Sequence, residues 1–210
     1  MQGSEKPKDK RRMRGEASRK VILRSAVDSI AASGLGNMTL DRVAERAEIS
    51  RGLVVFHFKS KSKLLKAVLE FLGQQYALGW NETSSKIASS DMERLLQIID
   101  FDIRFAYENP RYVSAWHAFW GEAKGNLLYH DISFPRDEDY ANEIEALVSR
   151  ISEENGCDLA EVEPITKGLY VMLFGVWVES HLNPNPDDCD RYMRAFRVYL
   201  SKCFPGETIQ

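Results

Sequence analysis

Cysteine is scarce in this sequence: Cys157, Cys189 and Cys203 are the three among 210 residues, and they form no CxxC pair. That excludes a disulfide scaffold and paired-cysteine metal ribbons, and it suits reduced thiols in a cytoplasmic protein. Long hydrophobic runs are also missing. The longest apolar stretch lies around Val171–Val178 and is far too short to cross a bilayer. The basic N-terminus has no apolar segment of the kind a secretory signal needs. No alternation suggests strands, and no internal repeat appears. Catalytic patterns are absent too: no HExxH, GxSxG, phosphate-binding loop or dinucleotide glycine pattern occurs. The four histidines, His57, His117, His130 and His181, are scattered without metal-ligand spacing. No enzyme, metal site or cofactor is expected.

What is present is core material and an uneven distribution of charge. At 44% hydrophobic and 28% charged, the chain has enough apolar surface for one large domain or two small ones. The formal net charge of −3 hides a split. Residues 1–66 hold 16 basic and 7 acidic side chains, whereas residues 67–210 hold 12 basic and 24 acidic. A basic head on an acidic body suits binding to a polyanion through one end. Residues 1–16 read as a basic disordered arm of the type that orders on DNA, or as a plain solvated tail.

Residues 39–61 carry the clearest local pattern. Thr39 is a hydroxyl N-cap candidate, with Leu40, Val43, Ala44 and Ala47 at helical spacing behind it. Ile49 fills the gap before Ser50, which caps a second short helix running through Leu53, Val54 and Phe56. Two short helices over 39–46 and 50–56, joined by a tight turn, read as a helix-turn-helix whose second helix enters a DNA major groove.

The remainder reads as helix almost throughout. The first helix spans 18–33 and stops at Gly34 and Gly36. Helix 61–81 carries Leu64, Leu65, Val68, Leu69, Leu72 and Tyr76. Ser90 with Glu93 is a capping box opening helix 90–108. Pro110 starts a helix with Tyr112, Val113, Trp116, Phe119 and Trp120 on one stripe. Residues 125–136 are ambiguous, and a charged helix spans about 138–154. Helices 164–182 and 188–203 close the sequence, with the first showing a broad apolar face. The fold class is all-α. It comprises a helix-turn-helix DNA-binding domain over 17–62 and a helical effector-binding and dimerisation domain over 63–210.

The order of these pieces resembles the TetR family of bacterial repressors. The likeness is carried by Thr39, Ala44, Ala47, Ile49-Ser50, Gly52, His57-Phe58, Lys61 and Leu64. Trp116-His117-Ala118-Phe119-Trp120, Gly168-Leu169-Tyr170 and Gly175-Val176-Trp177 are similar to the family's choline-responsive, betaine-pathway (BetI-like) branch. Two positions depart from the family pattern: Glu48 stands where the turn usually has glycine, and Val55 replaces the usual tyrosine.

The resemblance implies a homodimer built through helices 164–182 and 188–203 that binds a palindromic double-stranded operator and is released by a small-molecule effector. A choline-like quaternary amine is the suggested effector. Thr39, His57 and Lys61 are expected on phosphates, with Arg19 and Lys20 nearby. Ser50 and Arg51 are expected at base edges, Gly52 at close backbone approach, and Val55 near a thymine methyl. Ser50 also reads as a simple cap, His57 as a packed histidine and Lys61 as a solvated charge.

Candidate effector contacts are Tyr112, Trp116, His117, Phe119, Trp120, Tyr170, Phe174 and Trp177, with Tyr107 and Tyr129 in the same aromatic concentration. Aromatic faces attract quaternary ammonium groups, although such stripes also form ordinary core. Asp102 could neutralise a cation, but helices this charged usually turn such residues to water. An activator of the same fold is the alternative function, and a helical protein-binding adaptor is a more distant one.

Overall fold

The local signals decide where each helix begins. In the computed structural model, which describes residues 7–122 and 127–207, α1 runs Pro7–Asn37, α2 Leu40–Arg46 and α3 Arg51–Phe58. The Thr39 hydroxyl oxygen accepts from the Arg42 N–H at 3.2 Å, and the Ser50 hydroxyl oxygen accepts from the Leu53 N–H at 3.2 Å. Each cap satisfies one of the backbone donors that a helix start leaves orphaned. α1 is interrupted at Gly34, whose φ of 75° lies outside the helical region.

The expected disordered arm is helical from Pro7 onward. Its lysines, arginines and glutamate are good helix formers, and it continues a packed helix, so it needs no nucleus of its own. Residues 1–6 and the side chain of Tyr129 lie outside what is described. α2 and α3 match the expected spans closely, but Phe56 does not share the buried face of α3; it is 65% exposed. Phe56 and Phe58 are two positions apart on a helix, so they cannot both face inward, and Phe58 is the one that does.

The remaining helices are α4 (Lys61–Ser84), α5 (Asp91–Glu108), α6 (Pro110–Glu122), α7 (Leu127–Glu154), α8 (Val162–Leu182) and α9 (Cys189–Cys203). No strand occurs among the described residues. α7 takes in most of the stretch that composition left ambiguous and passes through Pro135. The capping box at α5 forms with a one-residue offset. Ser90 accepts from the Glu93 N–H at 3.1 Å, while the Glu93 carboxylate accepts from the Ser89 N–H and hydroxyl, each at 2.6 Å.

The chain divides into two compact units. One comprises Met1–Leu72 with Ser114–Tyr129, and the other Gly73–Val113 with His130–Gln210. In the first, Ile22, Leu23, Ala26, Val27 and Ile30 of α1 are buried, as are Val43 and Ala44 of α2 and Val54 and Phe58 of α3. Burying each large side chain of this set contributes about 1.5–3 kcal/mol, which holds α2 and α3, short helices that would be marginal alone. In the second, Leu95, Ile98, Ile99 and Ile103 of α5 are buried, as are Leu169, Val176 and Trp177 of α8 and Met193, Phe196 and Leu200 of α9. Arg150 of α7 grips Asp91 at the start of α5 through two hydrogen bonds of 2.6 and 3.0 Å.

Candidate nucleic-acid interface and body site

In the first unit, the surface that could meet DNA begins at the caps. Thr39 and Ser50 are exposed, although each hydroxyl already holds its own helix start. Arg51, the first residue of α3, is exposed, and its Nε lies 3.0 Å from a carboxylate oxygen of Asp41. A surface pair of this kind is worth at most about 1 kcal/mol. It therefore aims the guanidinium without committing it. Gly52 is exposed, and a Cβ there would meet nothing closer than the Ser50 hydroxyl at 3.8 Å. Among the described residues nothing crowds this position, so the surface there is open to close approach.

Other expected contacts are placed differently. Lys61 is only half-exposed, and its ammonium donates to the Leu35 and Gly36 carbonyls at 2.9 and 3.1 Å. It neutralises carbonyls that the glycine-rich end of α1 leaves over. His57 is half-buried between the rings of Phe56 and Phe58. Burial first, then the charges of Arg19 and Lys59, hold its pKa below the usual 6.5, so at neutral pH it offers a neutral N–H. Arg19 is exposed, with its guanidinium 5.2 Å from the centre of the Phe58 ring, and Lys20 is exposed beside it. Val55 is half-buried. The apolar group that α3 shows to solvent is Phe56, with the Lys59 ammonium 5.2 Å from its ring centre. Glu48, at the turn between α2 and α3, has φ 54°; it adopts the left-handed conformation that glycine would adopt with less strain.

In the second unit, the notable group is Asp102. It is buried, contrary to the usual orientation of acidic residues on charged helices. Its carboxylate accepts the Tyr76 O–H at 2.7 Å and the Trp177 indole N–H at 3.1 Å. Among the described residues no lysine or arginine pairs with it. Burial pushes its pKa up to about 6, against the lowering effect of those two hydrogen bonds.

Rings crowd this carboxylate. Tyr76 lies 5.2 Å from Phe101, 5.1 Å from Phe105, 5.2 Å from Tyr140 and 6.0 Å from Trp177, centre to centre. Trp80 lies 4.3 Å from Tyr140 and donates its indole N–H to Glu143 at 2.9 Å. Gly79 makes room for this packing, since a Cβ there would fall 2.4 Å from the Phe101 ring.

Of the proposed effector contacts, Trp177 joins this cluster directly, and Tyr112 reaches its edge through Phe105 at 6.4 Å. Tyr170 and Phe174 are exposed on α8. Trp116, His117, Phe119 and Trp120 fall in the first unit, with Trp116 and Phe119 buried and the His117 and Trp120 rings 4.7 Å apart. Tyr107 stacks on Tyr192 at 6.1 Å. Sequence reading missed Tyr76, Trp80, Phe101, Phe105 and Tyr140 as a set. Their only signal was an acidic residue on the otherwise apolar side of an amphipathic helix.

Comparison with known proteins finds a family match for each part of the sequence. The model for bacterial regulatory proteins of the tetR family matches residues 22–68, and that for the BetI-type transcriptional repressor C-terminal domain matches residues 91–205. The chain is 20% identical over 185 residues to the HTH-type transcriptional regulator BetI of Pectobacterium atrosepticum, covering 88% of this chain and 92% of that one. A transcriptional regulator from Pseudomonas aeruginosa PAO1 has the same fold, with a TM-score of 0.79 at 17% identity over 91% of this chain and 92% of that one. So does a regulator from Saccharomonospora viridis in complex with choline, with a TM-score of 0.71 at 19% identity over 86% and 95%.

Proposed function

The chain belongs to the TetR family of bacterial regulatory proteins and is a DNA-binding transcriptional regulator with a BetI-type C-terminal domain, and we propose that it is a cytoplasmic homodimeric repressor released from a palindromic operator by a small organic cation of the choline type. The observation that carries the effector reading is Asp102. A carboxylate sealed among rings with only neutral donors on it is held at a cost that a bound cation would offset. The surrounding π-faces attract a quaternary ammonium, which has no N–H and needs no hydrogen-bond acceptor. The choline complex of the Saccharomonospora viridis regulator supports the same chemistry on the same fold.

At the DNA end, Arg51 and Phe56 read base edges, while Thr39, Ser50 and His57 meet phosphates; Lys61 acts indirectly by bracing the end of α1. The dimer forms through α8 and α9, which leave Tyr170, Val171, Phe174 and Val198 exposed. Light scattering of the purified chain tests this, and a strict monomer would reject it. Repression rather than activation is favoured by the BetI-type match.

The effector test is a tryptophan-fluorescence titration with choline and betaine aldehyde, repeated on Asp102→Asn. Saturable binding that weakens at least tenfold in the variant is expected, together with release of the parent from its operator. Because a cation pairs with the charged form of Asp102, affinity should also rise as pH increases through about 6. No saturation at millimolar amine rejects the effector reading and leaves DNA binding standing.

A further inference from the structure

We propose that the N-terminal half of α1 is a second DNA-contact element, a basic ridge that follows duplex phosphates beyond the stretch gripped by α3. The proposal rests on the head being the duplex-binding end of the molecule. Residues 7–20 contain seven basic and two acidic side chains. From Arg12 to Lys20 every residue is exposed or half-exposed, and among the described side chains of α1 the first that is buried is Ile22. A helical segment with no apolar face has nothing of its own fold to pack against. It persists because the packed half of α1 supplies its nucleus, and its surface is left for a partner.

The helical register says which way the ridge faces. At 100° per residue, positions 8, 12, 15 and 19 continue the line of 22, 23, 26 and 30, which are the residues buried in the head. The face that packs onto α2 and α3 therefore runs on N-terminally as Lys8, Arg12, Gly15 and Arg19, with Arg11 at its margin. Arg19 fixes the side: its guanidinium sits over Phe58, the last residue of α3. From Arg19 to Lys8 the helix advances about 16 Å, or roughly five base pairs of duplex.

The described part of the ridge offers a phosphate little resistance. Arg12 pairs with Glu16 at 4.0 Å, both largely exposed, and a phosphate displaces that pair at little cost. Gly15 has no atom within 4 Å of where a Cβ would stand. A lipid surface fits less well, because a membrane-surface helix needs an apolar face to insert.

The test compares the full chain with the triple variant Lys8→Gln, Arg11→Gln, Arg12→Gln and with a chain lacking residues 1–16. The probe is a duplex selected from random sequence by the full chain, carried in flanks of at least ten base pairs. Circular dichroism checks that each variant is folded. Binding is followed by fluorescence anisotropy against salt. Losing three phosphate contacts should flatten the slope of log K against log salt by up to about 2.7, so the parent loses about 40-fold more affinity than the variant between 50 and 200 mM salt. With the flanks trimmed away, parent and variants should converge.

Equal slopes on the long duplex would overturn the proposal while leaving the head's DNA binding intact. Failure of the parent itself to select any duplex would overturn both. Unchanged DNA slopes with loss of binding to phosphatidylserine vesicles in the variants would assign the ridge to a membrane instead.

Discussion

The two units encode their functional groups in opposite ways. In the head, the groups that matter are exposed and fixed by neighbours three residues away, as the Thr39 and Ser50 caps show. In the body, the central group is buried and fixed by residues far off in sequence. Tyr76 and Trp177 reach Asp102 across 26 and 75 positions, and Trp80 reaches Glu143 across 63. An exposed contact surface can lose a side chain with little cost to folding, because water takes over its hydrogen bonds. A buried polar group cannot, because its partners are left unsatisfied in a dry interior. The head's exposed groups can therefore be exchanged residue by residue, whereas the carboxylate cluster of the body and the body's stability are the same structure.

Substitutions matched between the units break this comparison most directly. Asp102→Ala strands the Tyr76 O–H and the Trp177 N–H in the core, and should cost about 3 kcal/mol in urea unfolding. Tyr76→Phe together with Asp102→Leu should recover part of that loss, since fewer donors remain unpaired. Arg51→Ala gives up only an exposed ion pair, so unfolding should shift by less than about 1 kcal/mol. Operator affinity should nonetheless fall about 10- to 100-fold with relaxed sequence choice. Phe56→Ala should behave the same way at about tenfold. An Asp102→Ala chain as stable as the parent, or an Arg51→Ala chain that binds DNA normally, would remove the contrast.

This difference also explains what the sequence revealed. Caps, helical spacing, the +9 charge of residues 1–66 and the tight turn are local features, so the head was legible residue by residue. What it left open was local as well. The sequence names Phe56 as part of α3 without saying which way it faces, and its two-residue offset from the buried Phe58 turns it outward. The expectation of a phosphate contact for Lys61 left out the carbonyls of Leu35 and Gly36, because nothing in the sequence says that they lie within reach. Helix positions in the body were equally legible. The aromatic cluster was not, because its members come from α4, α5, α7 and α8 and meet only after folding. Trp116 and Trp120 share a helix stripe visible in sequence, yet the buried carboxylate lies with another set of rings.

Acid should move the two units in opposite directions. Asp102 has a folded pKa of about 6 against an ordinary 3.8, so the folded state binds its proton more tightly than the unfolded chain. Its contribution to stability is fully present below 3.8 and is lost as pH rises through 6; lowering pH from 7 to 5 should add about 1 kcal/mol. Asp102→Asn should abolish that gain in parallel urea titrations. His57 has the reverse sign. Its folded pKa lies below 6.5, so its contribution is present above 6.5 and is lost as pH falls through the folded value. His57→Gln should steepen the net gain on acidification, and a flatter profile instead would contradict the assignment.

The smallest effect belongs to Glu48, which with Lys59 is one of two described non-glycine residues of the head at positive φ. Glu48 holds φ 54° at the turn that sets α3 against α2. Glycine would adopt that conformation without the Cβ clash, at the cost of a more flexible unfolded chain. Glu48→Gly should therefore stabilise by about 0.5–1 kcal/mol, raising the melting temperature by a few degrees. It also removes a negative charge from the basic unit, so operator affinity should rise most at low salt. A gain in stability with no change in binding would mean that the charge lies outside the duplex's reach. A loss of stability would mean that Glu48 holds the turn by a contact stronger than its strain.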